Sequence, residues 1–226
     1  RPHTLPGISE MDTTSMHWKQ ISRFTLFIFG LLAIVYASAS GWPQYGNLGG
    51  QQYTPLSQIN INNLNQLEEL WRFRTGDLGQ GFKRKGHSMQ ANPILWNGTL
   101  YVSTSANWVI AIDALTGTEQ WRFDPELPKD IGYSSSASRG VSIWHGDTQV
   151  CPSRIFLGTL IGELIALDAR TGKPCSDFGE NGRVDLSKGV GSVELGEYSI
   201  TSPPAILGEL VIVGSAIGDN RATNLE

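Results

Sequence analysis

Ala111-Ile112-Asp113-Ala114-Leu115-Thr116-Gly117 returns fifty-five residues later as Ala166-Leu167-Asp168-Ala169-Arg170-Thr171-Gly172. The ungapped offset extends backward, setting Leu100 against Ile155, Tyr101 against Phe156 and Thr104 against Thr159. A third copy opens a further fifty-five residues on, with Pro203 against Pro93, Gly208 against Gly98 and Leu210 against Leu100. Each copy is made of short apolar runs separated by turn residues. A repeat of this length and texture predicts small antiparallel sheets arranged as a β-propeller or a similar array. One such unit cannot cover its own apolar face, so the copies must stack.

Within the first copy, Pro93–Leu95 and Thr99–Thr104 read as strands. Trp96-Asn97-Gly98 turns between them, and Asn-Gly is a strong hairpin signal. Trp108–Asp113 and Gln120–Phe123 read as two further strands. The Asp113 side chain suits the capping of its own turn, Gly117 suits positive φ, and Trp121 suits packing between units. The second copy retains Ala166, Asp168, Thr171 and Gly172 but has Ser176 where tryptophan would fall. These residues specify architecture. Upstream, Leu64–Arg74 reads as a strand closing at Thr75-Gly76-Asp77. Two long connections, Asp124–Val150 and Cys175–Tyr198, separate the copies; loops of that length usually carry function or are disordered. Strands are expected again at Ser199–Thr201 and Gly208–Ser215.

The chain has 226 residues, 40% hydrophobic and 17% charged, which is a globular composition. Its net charge of −4 argues against nucleic acid as a partner. Residues 1–39 stand apart from the fold. Lys19 and Arg23 precede an apolar run from Phe24 to Ala37, and Ala37-Ser38-Ala39 has the small residues that a signal peptidase requires. The run is shorter than the ~20 residues of a membrane helix. The expectation is therefore a signal peptide and a periplasmic protein, with an inner-membrane anchor over residues 24–37 as the alternative. Residues 40–226 are then the folded part. Export permits disulfides. Cys151 and Cys175, the only two cysteines, flank the hairpin of Arg154–Thr159 and Glu163–Ala169. They read as one bridge, the other reading being two unpaired small residues.

The stretch Ala111-x-Asp113-x-x-Thr116-Gly117-x-x-x-Trp121 resembles the tryptophan-docking repeat of the pyrroloquinoline-quinone (PQQ) dehydrogenases. Further segments resemble that family in order: Gly41-Trp42-Pro43-Gln44-Tyr45-Gly46, Leu70-Trp71-Arg72-Phe73-Arg74-Thr75-Gly76-Asp77, Ser138-Arg139-Gly140-Val141-Ser142, Thr201-Ser202-Pro203-Pro204 and Val213–Asn220. The likeness covers residues 41–226 and is nearest to the glucose- and quinate-dehydrogenase branch. It implies an all-β, eight-bladed quinoprotein propeller of which about three blades are present. It also implies oxidation of an alcohol, sugar or polyol with PQQ and Ca²⁺ or Mg²⁺, electrons passing to a quinone or a cytochrome.

The resemblance assigns site residues position by position. Arg139 would pair with a PQQ carboxylate, Thr201 and Ser202 would supply hydroxyls, and Asp219 and Asn220 would be oxygen ligands of the cation. Gln90 falls where many members carry a glutamate that contacts PQQ; a neutral amide still hydrogen-bonds but brings no charge. Ser134-Ser135-Ser136 falls where one branch has adjacent cysteines and another a histidine, which leaves one face of the cofactor pocket without an assigned group. His87 and His145 match no motif and read as ordinary exposed histidines. The general base of the family is an aspartate in a later blade, so it is expected beyond Glu226, and the piece on its own is expected to be inactive. The alternative is a non-enzymatic scaffold propeller built on the same docking repeats.

Overall fold

The structure is a computed structural model, and it describes residues 41–77, 89–135 and 137–218, all within one unit spanning Gly41–Glu226. The N-terminal signal or anchor segment, His87, Ser136, Asp219 and Asn220 lie outside the described residues. Among the described residues ten strands form three sheets. The first is β1 (Ile94–Trp96), β2 (Thr99–Ser103), β3 (Val109–Asp113) and β4 (Glu119–Phe123), paired in that order. The second is β5 (Ser142–His145), β6 (Ser153–Gly158), β7 (Glu163–Asp168) and β8 (Arg183–Asp185), likewise in order. The third is the hairpin of β9 (Ala205–Leu207) and β10 (Leu210–Ile212). Every pairing is antiparallel. Among the described residues no helix is long and apolar enough to cross a membrane.

The Asn97-Gly98 turn forms as its sequence requires: both residues have positive φ, 47° and 75°, and Trp96 faces Thr99 across the loop. Four readings are corrected. No strand spans Ser199–Thr201, where a single bridge joins Ser199 to Ala216 and the strand that follows is β9. Leu64–Arg74 is not a strand: Leu64–Gln66 is a 3₁₀ turn, and no ladder partner lies beside Leu67–Asp77 among the described residues. The connection 124–150 is not all loop, because Ser142–His145 pairs with Ser153–Phe156 as β5. The connection 175–198 contains β8, short and half-buried, on the outer edge of the second sheet.

Alternation along the strands shows how the sheets stack. Odd-numbered Tyr101, Val109 and Ala111 of the first sheet meet odd-numbered Ile155, Leu157, Ile165 and Leu167 of the second. Even-numbered Phe156, Leu164 and Ala166 face Ile206, Val211 and Val213 at the third. Even-numbered Val102, Ile110 and Ile112 take Trp71 and Phe73 on the opposite side. Central strands are therefore covered on both faces, which is why Val109-Ile110-Ala111-Ile112 is a continuous apolar run and not an alternating one. Each fully buried Ile or Leu contributes ~1.5–3 kcal/mol of transfer free energy.

The docking turn closes these contacts at one end. Asp113 Oδ1 accepts the N–H groups of Leu115 and Thr116 and the Thr116 hydroxyl, at 3.0, 2.8 and 2.9 Å. Asp168 does the same for Arg170 and Thr171, at 3.0, 2.8 and 2.9 Å. The Trp71 indole donates to the Ala114 carbonyl at 3.2 Å, and that of Trp121 donates to the Ala169 carbonyl at 3.0 Å. Each ring lies on the glycine of the turn it reaches: a Cβ on Gly117 would sit 2.5 Å from Trp71, and one on Gly172 would sit 2.5 Å from Trp121. So the tryptophan of one unit docks on the glycine of the next. The second copy lacks the tryptophan at Ser176; there the neighbouring Cys175 is fully buried and joined to Cys151 by a disulfide, with Cα atoms 5.9 Å apart.

Asp77 ties the start of the unit to the first sheet. It is 8% exposed and accepts the Thr75 and Ser105 hydroxyls at 2.6 and 3.0 Å. Burial pushes its carboxyl up, but the hydrogen bonds from Thr75 and Ser105 more than offset this and hold it below the ordinary 3.8.

Two outcomes follow from these contacts. Gly172→Ala forces an L-residue into φ +71° and against the Trp121 ring; left-handed strain of ~1–2 kcal/mol and overpacking of ~1–3 kcal/mol give an expected loss of about 2–5 kcal/mol in urea unfolding. No measurable loss would mean that the ring does not bear on the glycine. For Asp77, the lowered folded value means that its stabilisation is complete above its unfolded value and disappears as pH falls through the folded one. The stability gap between wild type and Asp77→Asn should hold constant above about pH 5 and close in more acidic buffer. A gap unchanged down to acid would refute the assignment.

Candidate functional site

Three chain segments lead into the first strands of the three sheets: residues 89–93 into β1, 137–141 into β5 and 199–204 into β9. The backbone bonds them side by side. Asn92 N–H donates to the Arg139 carbonyl at 3.2 Å, and Arg139 N–H donates to the Thr201 carbonyl at 2.9 Å. Glycine at 140 is needed for this approach: its φ is +146°, and a Cβ there would lie 3.1 Å from Pro203 and 3.3 Å from the Asn92 carbonyl. The Ser142 hydroxyl, fully buried, bonds the Pro204 carbonyl and joins β5 to the third segment. The opening segment of the unit lies along the same edges. Trp42 exchanges both backbone bonds with Leu95, at 2.7 and 2.9 Å, and the Pro43 carbonyl accepts Ile143 N–H at 3.0 Å.

These segments border a cleft of about 610 Å³ whose walls include Gln44, Tyr45, Gln90, Arg139, Ser202 and Pro203. Arg139 is exposed, and its Nη1 donates to the Thr201 Oγ1 at 2.7 Å. Thr201 is 8% exposed and is not part of the cleft wall. Its hydroxyl therefore holds the guanidinium, where the sequence had set it as a separate contact. Gln90 and Ser202 are exposed on the wall. The structure thus brings Gln90, Arg139 and Ser202 together, with Thr201 behind Arg139.

The charge pattern is informative. Among the described residues Arg72, Arg122, Arg154 and Arg183 form ion pairs with carboxylates, and Arg139 does not. Its side-chain partner among the described residues is a neutral hydroxyl, and no carboxylate among them pairs with it. A fixed guanidinium with free donors, beside an amide and a hydroxyl, suits a planar anion with several carboxylates. Glycines 49 and 50 and prolines 203 and 204 add flat, low-profile wall against which a ring system could lie. Among the described residues no group of three or more His, Cys, Asp or Glu forms a metal site.

The serine loop lies on one side of these segments. Ser134 N–H donates to the Gly196 carbonyl at 3.0 Å. The Ser134 hydroxyl donates to the Glu197 carbonyl at 3.3 Å. Beneath it Tyr133 is buried, and its phenol, pushed up to about 12 by burial, donates to the Pro128 carbonyl at 2.6 Å. His145 is exposed, bonded to Ser153 at 2.9 Å and set against the Trp96 ring, away from the cleft wall. Gln44, Tyr45 and Asn92 were not singled out as wall residues from sequence.

The model of the PQQ glucose/ethanol/alcohol dehydrogenase β-propeller domain matches residues 42–226. The chain is 34% identical over 204 residues to quinoprotein glucose dehydrogenase A of Acinetobacter calcoaceticus, covering 83% of this chain and 26% of that protein. It is 36% identical over 202 residues to quinate/shikimate dehydrogenase (quinone) of Acinetobacter baylyi, covering 81% and 25%. Among solved structures it resembles quinohemoprotein alcohol dehydrogenase from Comamonas testosteroni, with a TM-score of 0.60, 29% identity, and coverage of 79% and 24%. The chain belongs to the PQQ dehydrogenase β-propeller family. It spans about a quarter of the length of the curated relatives it matches.

Proposed function

We propose that the complete protein is a PQQ-dependent dehydrogenase that oxidises the CH–OH group of a sugar, alcohol or polyol. The observation that carries this is the guanidinium of Arg139, paired with no carboxylate among the described residues and held by Thr201 at 2.7 Å where the leading segments of three repeats converge. PQQ is a flat tricarboxylate, and the donor set of the cleft fits it. Arg139 would bind a carboxylate in bidentate fashion, Ser202 and Gln90 would add neutral hydrogen bonds, and Thr201 would keep the guanidinium in place.

When bound, PQQ supplies the two-electron acceptor and a divalent cation polarises its carbonyl. The chain contributes orientation and charge. The amide at Gln90 brings no negative charge to the wall, so it does not oppose the cofactor carboxylates as a glutamate would. Asp219 and Asn220 are the proposed ligands of Ca²⁺ or Mg²⁺, as oxygen donors of the kind hard cations take. The names of the relatives support sugars and hydroxylated acids as substrate classes and a quinone as electron acceptor, with a cytochrome as the other proposed acceptor. A periplasmic location fits the disulfide, which persists in oxidising compartments.

The test is titration of the complete apoprotein with PQQ in the presence of Ca²⁺ or Mg²⁺, followed by dye reduction with a panel of sugars and alcohols. Metal-dependent binding with turnover is expected. Arg139→Ala should weaken PQQ by ~1.5–3 kcal/mol, the usual worth of a charged hydrogen-bonded contact, which is roughly tenfold to more than hundredfold. A folded complete protein that binds no PQQ would overturn the dehydrogenase reading and leave a scaffold propeller.

A further inference from the structure

Asparagine followed by glycine occurs twice in the chain, at Asn97-Gly98 and at Asn181-Gly182. Such a pair carries a reaction of its own. The glycine nitrogen can attack the asparagine side-chain carbonyl, because glycine has no side chain to obstruct the approach, and asparagine counts among the thermolabile residues. The attack needs a glycine N–H that is not donating elsewhere and room for the two groups to turn towards each other.

The two pairs share a backbone shape. Asn97 and Gly98 have φ of 47° and 75°, and Asn181 and Gly182 have φ of 52° and 88°. Their surroundings differ. Gly182 is buried, its N–H donates to the Phe178 carbonyl at 2.8 Å, and its carbonyl accepts Ala166 N–H at 2.9 Å. A Cβ on Gly182 would lie 2.6 Å from the Pro174 Cβ and 3.0 Å from the Cys175 nitrogen. That nitrogen is both engaged and packed in. Gly98 is exposed, nothing lies within 4 Å of where its Cβ would be, and no backbone acceptor among the described residues takes its N–H. The hairpin closes through Trp96 and Thr99 instead. Asn97 is exposed too, on the rim of a cleft of about 670 Å³ through which water reaches it.

We propose that Asn97 is a site of spontaneous covalent modification, deamidation through a cyclic imide, and that the fold shields Asn181 from the same reaction. The Gly98 nitrogen forms a bond to the Asn97 Cγ, the Cγ–Nδ2 bond breaks, and ammonia leaves with the proton that Gly98 gives up. Water then opens the imide at one of its two carbonyls. Opening at Cγ gives aspartate in a normal main chain. Opening at the main-chain carbonyl gives isoaspartate, whose main chain runs through Cβ and Cγ. No electrons change hands.

The position makes the second product consequential. The Gly98 carbonyl accepts Ala114 N–H at 2.9 Å, and the Ala114 carbonyl accepts the Trp71 indole at 3.2 Å. One extra main-chain carbon, ~1.5 Å of added path, shifts the Gly98 carbonyl in a two-residue loop, and with it the peptide on which Trp71 docks.

The test is incubation of the complete folded protein in mildly alkaline buffer, with peptide mass spectrometry at both pairs over time and enzymatic methyl labelling of isoaspartate. The amide-to-acid mass gain is expected at the Asn97 peptide. Conversion at Asn181 should be at least ~10-fold slower, the factor equivalent to one buried hydrogen bond that must be given up. The same chain in urea should convert both at similar rates, because the shielding is then lost. Equal rates in the folded protein, or a gap that persists in urea, would overturn the proposal. Asn97→Gly keeps a turn-forming pair, Gly-Gly, and removes the reacting amide. Its Tm should be unchanged by the incubation, while that of the wild type falls as isoaspartate accumulates. A wild type that accumulates isoaspartate at position 97 with no fall in Tm would refute the link to the Trp71 dock.

Discussion

The docking of Trp121 on Gly172 is the constraint from which the rest of the geometry follows. A sheet of this size cannot cover its own faces, so its neighbours must be held at one spacing and one rotation. The indole does both. Its N–H reaches the Ala169 carbonyl at 3.0 Å, and its face occupies the space that a Cβ on Gly172 would fill. Tyr101 repeats the first half of that arrangement, since its hydroxyl donates to the same Ala169 carbonyl at 3.1 Å and its ring lies 5.8 Å from that of Trp121. With that turn fixed, odd-numbered side chains of β2 and β3 meet odd-numbered side chains of β6 and β7, and a one-residue slip would exchange both faces at once.

The site is a consequence of this stacking at the other side of the sheets. Docking turns set the sheet-to-sheet relation at the outer loops, and the inner segments before β1, β5 and β9 are thereby laid next to one another. Backbone bonds through Arg139 then join them in series. Functional side chains here lie outside the strands, on the segments that lead into them, where the ladder does not dictate residue type. This separates the two kinds of sequence constraint. The repeat Ala-x-Asp-x-x-Thr-Gly fixes architecture and recurs. Arg139, Gln90 and Ser202 lie on the leading segments of three different repeats and are all different.

That separation explains what could be read from the chain. The hairpin at Asn97-Gly98, the strands on either side of it and the Asp-capped turns are local, each determined by a few residues with a single good conformation, and all are legible. β5 and β8 were hidden because they are short and lie in polar surroundings; Ser142 is apolar by neither composition nor period, and it is buried only because Pro204 supplies a partner. The strand expected at Leu64–Arg74 failed for the opposite reason. Its apolar residues are real, and Trp71 and Phe73 do reach the core, but a strand also needs a neighbour to pair with. At the site, the type of Arg139 pointed to an anion, whereas the role of Thr201 as its holder needed three dimensions, because the two are far apart in sequence.

The partner chosen for Arg139 has a further consequence. An exposed arginine is most simply held by a carboxylate, as Glu119 holds Arg122 and Glu69 holds Arg72. Such a partner fixes the side chain but cancels the charge that an anionic ligand would meet. A hydroxyl fixes it and cancels nothing. Thr201 bonds Nη1 and leaves the other guanidinium donors to the cleft. The same economy applies to Gln90, an amide on the wall where an acid would repel a polycarboxylate.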